Sequence, residues 1–238
     1  MAIKPLSKSY DRTYVRQQVR FSDIPKSFPT ARNHALFKLA GSGQRVLEIG
    51  PGDANVLYNL RNSFEELYGV EISQGRATKA NEALAANNVS NITVIAGNIE
   101  SGIDLPDNFF DVIIWADVVE HVVDLWATMA EVSRLLKPGG KLVTCTPNIA
   151  SWRYRLTLLF GKFPGTSARN EGFAVREGEL YDGGHLHYFT FSSLEKLYRK
   201  YNVKPVKRMG FGKLGKLHNL YPPLLSGAVC IVGINSKL

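Results

Sequence analysis

The sequence predicts an α/β fold built on an open, doubly wound sheet of seven strands, with the last strand antiparallel to the rest. Three observations predict it. From residue 45 onward, β-branched apolar runs alternate with helix-patterned segments. The strand-like runs end in glycine or acidic residues, as at Gly50 and Glu71. The run FDVIIWA (110–116) is almost wholly apolar, as a strand covered on both faces must be. With 238 residues and a hydrophobic fraction of 45%, the chain can bury one full core, so residues 1–238 read as a single domain.

The elements follow in order. RVLEIG (45–50) is the first strand and EELYGVEI (65–72) the second. The Ala-rich stretch QGRATKANEALAANN (74–88) reads as a helix, and ITVIAG (92–97) and 110–116 as strands three and four. Leu125, Met129, Val132 and Leu136 recur at helical spacing, and Pro138-Gly139-Gly140 is expected to end that helix. KLVTCTPN (141–148) is the fifth strand. SSLEKLYRKY (192–201) is a helix with Ser192 or Ser193 as its cap. PVKRMGF (205–211) and AVCIVGI (228–234) are the last strands. Between them lies GKLGKLHNLYPPLLSG (212–227), whose three Gly and two Pro show no crossover helix, so the two should pair antiparallel. Residues 149–190 break the alternation and read as a lid-like insertion after strand five, and residues 1–44 as an N-terminal helical cap.

The net charge of +8 is unevenly spread. Residues 1–45 hold nine Lys/Arg against two acids, 46–195 eleven against nineteen, and 196–238 nine against none. Basic ends flanking an acidic middle suit an anionic partner, although plain solubility accounts for them equally well. Cys145 and Cys230 sit in apolar strand-like runs and read as reduced core residues. The N-terminus shows no apolar signal region and no run is long enough to span a bilayer, so a cytoplasmic location is expected.

Open α/β sheets bind ligands beyond the carboxyl ends of their strands. The first strand here runs into Glu48-Ile49-Gly50-Pro51-Gly52-Asp53-Ala54-Asn55, where Gly50 and Gly52 permit a tight turn. Glu71 follows 23 residues after Glu48, the distance at which a carboxylate can take ribose hydroxyls. As a dinucleotide site the pattern is defective. Asn55 replaces its third glycine, and Glu48 would repel a pyrophosphate. A carboxylate there suits a cationic ligand instead.

VLEIGPGDANVL (46–57) resembles the first motif of class I S-adenosylmethionine (SAM)-dependent methyltransferases, which are Rossmann-like. YGVEIS (68–73), AGNIE (96–100), FDVIIWADVVEHV (110–122) and LLKPGGKLVTCTPN (135–148) resemble the next four, in order. GHLHYFTFSSLEKLYRKYNV (184–203) is similar to the late segment of the branch holding ubiquinone-biosynthesis and sugar or natural-product O-methyltransferases. The resemblance covers about two thirds of the chain and leaves out the cap and the insertion. It implies SAM as cofactor. Gly50, Pro51 and Gly52, with Glu48 and Asn55 beside them, would pass its methionine part. Glu71 would hold the ribose and Ile72 flank the adenine. Asn98 would meet the adenine amino group with Ile99 on the ring, and Ala116 and Asp117 would line the methionine end.

Methyl transfer from a sulfonium needs alignment and the exclusion of water, and an oxygen acceptor also needs its proton removed. Asp117, Glu120 and His121 follow strand four at spacings that share one face if the segment turns helical, and His185 and His187 alternate in the extended GGHLHYFT. Three readings stand side by side. His121 or His187 is a general base, with His185 as a third candidate catalytic residue. Asp117, Glu120, His121 and one of the later histidines, His185 foremost, bind a divalent cation such as Mg²⁺. This second arrangement resembles the E-x-x-E-H plus distant His pattern of small-RNA 2′-O-methyltransferases, with Asp117 in place of the first Glu. Or Glu120 and His121 simply close the loop over the cofactor.

The insertion mixes Trp152, Tyr154, Phe160, Phe163, Phe173 and Tyr181 with Arg153, Arg155, Lys162, Arg169 and Arg176, as a lid over an aromatic or anionic small molecule would. Lys213, Lys216 and His218 could meet an acceptor's phosphate or carboxylate if their linker reaches the mouth of the site. The function expected is O-methylation of a small-molecule hydroxyl on a sugar, phenol or secondary metabolite. Its rivals are a metal-dependent RNA 2′-O-methyltransferase and a noncatalytic SAM-binding or lipid-surface protein. Nucleic acid is not favoured as partner, because the sequence carries no RNA-binding module or RNP-like motif.

Overall fold

A computed structural model describes residues 18–25, 27, 29–167 and 181–237. Within them the chain runs through α1 (Arg32–Ala40), β1 (Gly43–Ile49), α2 (Asn55–Leu60), β2 (Phe64–Glu71), α3 (Gln74–Ala86), β3 (Ile92–Ala96), β4 (Phe110–Ala116) and α4 (Leu125–Leu135). It continues through β5 (Leu136–Pro147), α5 (Trp152–Leu159), α6 (Phe191–Lys200), β6 (Val203–Arg208), α7 (Pro222–Leu225) and β7 (Ala228–Asn235). The insertion's Phe173, Arg169 and Arg176 and the first part of the cap lie outside the described residues.

The seven strands form one sheet in the order β3-β2-β1-β4-β5-β7-β6. All are parallel except β7, which runs antiparallel to both of its neighbours, β5 and β6. Side chains alternate across a pleated strand, and the apolar runs exploit both directions. Val46, Val112, Ile114 and Val143 face a layer made by α1, α2 and α3, with Leu36, Leu57 and Leu84 among its contributors. Leu47, Ile113, Trp115 and Leu142 face the opposite layer, with Met129, Val132, Leu194 and Tyr198. Burial on both faces is why β4 is so uniformly apolar. Strand order reverses between β1 and β4, which places the topological switch point at their carboxyl ends.

Two local expectations are corrected. The helix α4 ends at Leu135, and Pro138-Gly139-Gly140 lies inside β5, where the pairing with β4 slips between Phe110 and Val112. The cap of α6 is Thr190 rather than Ser192 or Ser193. Its hydroxyl accepts from Ser193 N, and Ser193 Oγ accepts in turn from Thr190 N, a reciprocal capping box.

Candidate functional site

A cavity of about 570 Å³ opens at the carboxyl ends of β1, β2 and β4. It brings together all of the residues expected to meet the cofactor: Glu48, Gly50, Pro51, Gly52, Asn55, Glu71, Ile72, Asn98, Ile99, Ala116 and Asp117. The glycine turn leaves β1 with both glycines in the left-handed region, Gly50 at φ 68° and Gly52 at φ 59°. A Cβ on Gly50 would collide with Val118, whereas one on Gly52 would only displace the end of the flexible Arg76 side chain; at both positions the positive φ strains any residue but glycine.

Glu71 joins the turn to the end of β2. Its Oε2 accepts from Gly52 N at 3.1 Å, its Oε1 from Ser73 N at 3.1 Å, and Arg76 stands 3.7 Å away. Glu48 is buried at the end of β1, and its Oε2 has no hydrogen-bond partner among the described residues. Burial pushes this carboxyl up to about 8, against the opposing pull of Arg32. The side chains of Asn55 and Asn98 are already engaged: Asn55 Oδ1 accepts from Ser22 N at 2.8 Å, and Asn98 Oδ1 from Glu100 N at 3.1 Å.

The cavity also holds residues that no sequence motif marks. Arg20, Ser22, Arg32 and Arg76 also line it. Arg20 and Ser22 belong to a strap laid over α2. Asn59 Oδ1 accepts from Ile24 N at 2.9 Å, Asn59 Nδ2 donates to Ser22 O at 2.9 Å, and Phe21 stacks on Tyr58 with ring centroids 4.1 Å apart. Arg32 opens α1 and forms an ion pair with Asp117, whose backbone lies in the left-handed region at φ 48°. No periodicity or motif links these arginines, which come from separate segments.

On the acceptor side, the loop after β4 is held against the segment 185–187. Leu186 N and His187 N both donate to Glu120 O, at 2.7 and 3.0 Å. This pairing brings His185 beside His121, with ring centroids 4.7 Å apart. His121 Nδ1 lies 3.1 Å from Gly184 O, and a carbonyl can only accept, so the proton sits on Nδ1 and Nε2 is the basic nitrogen. Burial, and then the neighbouring His185, hold the His121 pKa below its ordinary 6.5. Burial also lowers His185, opposed by Asp182 and Asp117.

Glu120 is buried, and its Oε2 accepts from Thr146 Oγ1 at 2.9 Å. Burial and nearby Asp117 hold its carboxyl well above the ordinary range. Ligating atoms of Glu120, His121 and His185 lie within 4.8 Å of one another. Asp117, expected in that group, is outside it and turned to Arg32. His187 is not brought to the cavity either. Its Nε2 lies 2.9 Å from Val122 O, and its ring lines a separate groove with Trp126 and Lys196. His218, expected near an acceptor anion, is used up within its own loop, Nδ1 facing Leu225 O at 2.7 Å and Nε2 accepting from Leu214 N at 3.3 Å.

Asp182 gave no signal in the sequence. It is buried and accepts from Thr166 N and Oγ1, Ser167 N and Tyr188 OH, at 2.8 to 3.1 Å, tying residues 166–167 to the last part of the insertion.

Residues 47–144, which carry the glycine turn, Glu71 and strand four, match the profile of a family described as methyltransferase domain. Residues 47–144 carry a SAM-dependent methyltransferase domain. Among curated relatives, this methyltransferase domain is 26% identical over 128 residues to the 27-O-demethylrifamycin SV methyltransferase of Amycolatopsis mediterranei, covering 51% of this chain and 47% of that protein. It is 28% identical over 133 residues to the demethylmenaquinone methyltransferase of a Geobacillus species, covering 50% of this chain and 56% of that one. The aligned stretch thus spans about half the length of each relative. A SAM-dependent methyltransferase from Aquifex aeolicus has the same fold at 15% identity, with a TM-score of 0.59 over 90% of this chain and 94% of that one. No helix among the described residues is long and apolar enough to cross a membrane.

Proposed function

We propose that the protein transfers a methyl group from SAM to a hydroxyl of a small-molecule acceptor. The observation that carries this reading is the pairing, in one cavity, of a cation-seeking cofactor wall with the basic imidazole of His121. Glu48 tests the fit. A buried carboxyl oxygen without a partner among the described residues, beside a glycine turn where a Cβ on Gly50 would strike Val118, suits a positively charged ligand pressed close to backbone. When bound, SAM supplies an electrophilic methyl carbon on a sulfonium. Glu71 would hold the ribose hydroxyls, and the turn at Gly50 and Gly52 would admit the methionine chain. The Arg32–Asp117 pair presents both signs of charge, which matches the carboxylate and ammonium of an amino-acid end.

His121 Nε2 would take the acceptor's hydroxyl proton as the oxygen–carbon bond forms and the carbon–sulfur bond breaks. Its lowered pKa keeps it unprotonated at neutral pH. Incubation with methyl-labelled SAM and a panel of phenols, sugars and other hydroxyl compounds tests this. Labelled product with release of S-adenosylhomocysteine supports the reading. Transfer to amines or carbon acids alone overturns the hydroxyl assignment.

A second reading rests on the cluster of Glu120, His121 and His185, in which Glu120 Oε1 is buried without a partner among the described residues. Two imidazoles and one carboxylate suit a borderline ion such as Mn²⁺, Fe²⁺ or Zn²⁺ better than Mg²⁺, which favours all-oxygen sites. Glu120, His121 and His185 would hold such an ion, which would supply Lewis-acid chemistry at the acceptor. Activity lost to a chelator and restored by one of these ions supports this reading; activity indifferent to chelation removes it.

A further inference from the structure

Two apolar segments rise from the same corner of the sheet, with no covering layer among the described residues. Helix α5 has no buried residue, and at its end Leu158, Leu159 and Phe160 are exposed, the last two at 75%. The second segment is the 3₁₀ turn Gly215–Asn219 with its flanks, where Leu214, Leu217 and Leu220 are exposed, Leu220 at 76%. A 3₁₀ turn repeats every three residues, so these three leucines stand above one another on one face, and Lys213 and Lys216 form the adjoining stripe.

The corner is shared because β7 begins where β5 ends, with Pro147 opposite Ala228. Asn148 Nδ2 donates to Pro223 O and Ser226 O, at 3.1 and 2.8 Å, fixing the base of one segment to the base of the other. This is also the carboxyl edge of the sheet, onto which the cavity opens.

Single exposed leucines are ordinary, but a stripe of three and a run of three on segments tied together at their bases are not. The charges around them select the occupant. Arg153, Arg155, Lys162, Lys213 and Lys216 are exposed, and neither 149–167 nor 209–227 contains an acidic residue. In a symmetric dimer through this face, the cations would meet their own images. An anionic lipid surface offers apolar depth and negative charge together. We propose that this corner docks onto an anionic membrane surface, with the leucine stripe and the Leu158–Phe160 run entering the headgroup layer and the five cations meeting lipid phosphates. The proposal does not depend on which acceptor is methylated.

Flotation of the full chain with phosphatidylcholine vesicles, alone or containing phosphatidylglycerol, tests it. Binding is expected only with phosphatidylglycerol and should weaken as salt rises. The pair K213E/K216E is expected to weaken binding roughly tenfold or more. L159S/F160S and L217S/L220S should each reduce it at fixed charge. All these side chains are exposed, so an unchanged melting temperature is expected of each variant. No flotation of the wild type at low salt overturns the proposal. So does binding that survives all three variants, or a wild-type dimer that L159S/F160S converts to monomer, which would make the face a self-interface. Capture of an acidic protein through the same residues without vesicle binding would overturn it equally.

Discussion

Glu71, at the end of β2, accepts a hydrogen bond from the backbone N–H of Gly52 in the turn after β1, at 3.1 Å. One carboxylate thereby shapes the glycine turn and faces the cavity the turn encloses. Changing Glu71 to Ala should weaken SAM binding by about 1.5–3 kcal/mol, the range for hydrogen bonds to a charged group. Titration calorimetry checks this, and an unchanged affinity removes Glu71 from the ribose role.

Glu48 makes the cofactor affinity depend on pH. Below a pH of about 8 its buried carboxyl is protonated in the empty site. A cation favours the ionised form, so binding expels the proton. Affinity should therefore rise with pH and level off above about 8. In Glu48→Gln this rise should vanish, leaving the weaker affinity throughout. A pH-independent wild type would show that the cation does not sit beside Glu48.

His121 should set the acid limb of the rate profile. It must be unprotonated to act as base, and its pKa lies below 6.5, so the rate should hold through neutrality and fall only below that value. His121→Ala should lower kcat about 10²–10⁴-fold, the usual worth of a positioned base. His187→Ala, which alters a ring turned to Val122 O, should leave kcat nearly unchanged. Steady-state rates of the two variants side by side decide between them, and equal losses would refute the assignment of the base.

Asp182 ties down the insertion, and the tie should be acid-sensitive. Burial works against its charge, but hydrogen bonds from Thr166 and Ser167 hold its pKa below 3.8. A depressed acid contributes stability that is present above its unfolded value and is lost as pH falls through the folded one. Asp182→Ala should destabilise the fold by about 1–3 kcal/mol at neutral pH, the cost of leaving several buried donors unpaired. Thermal melts check the magnitude, and limited proteolysis at 160–167 should show the insertion cut first.

The sheet was readable because each strand's burial writes itself into local composition. Strand four is legible to its bounds, Phe110–Ala116, since both of its faces are covered. The cofactor wall was readable for a related reason: the turn and the acidic strand end are contiguous motifs. The arginines around it were not, because Arg20, Arg32 and Arg76 meet only through packing of the strap, α1 and α3. The choice among histidines was also hidden. His185 and His187 look alike in an alternating stretch, and only the pairing of Leu186 and His187 backbone with Glu120 O turns one toward His121 and the other away. His218 misled for the opposite reason: a basic neighbourhood in sequence gave no sign that both its nitrogens serve its own loop.

The most direct measurement is calorimetric titration of the wild-type chain with SAM, S-adenosylhomocysteine and NAD, repeated in buffers of different ionisation heat. The predicted result is saturable uptake of SAM and S-adenosylhomocysteine, none of NAD, and proton release with SAM at neutral pH. Uptake of NAD with no heat from either sulfur nucleoside would contradict the assignment of the cavity between Glu48 and Glu71.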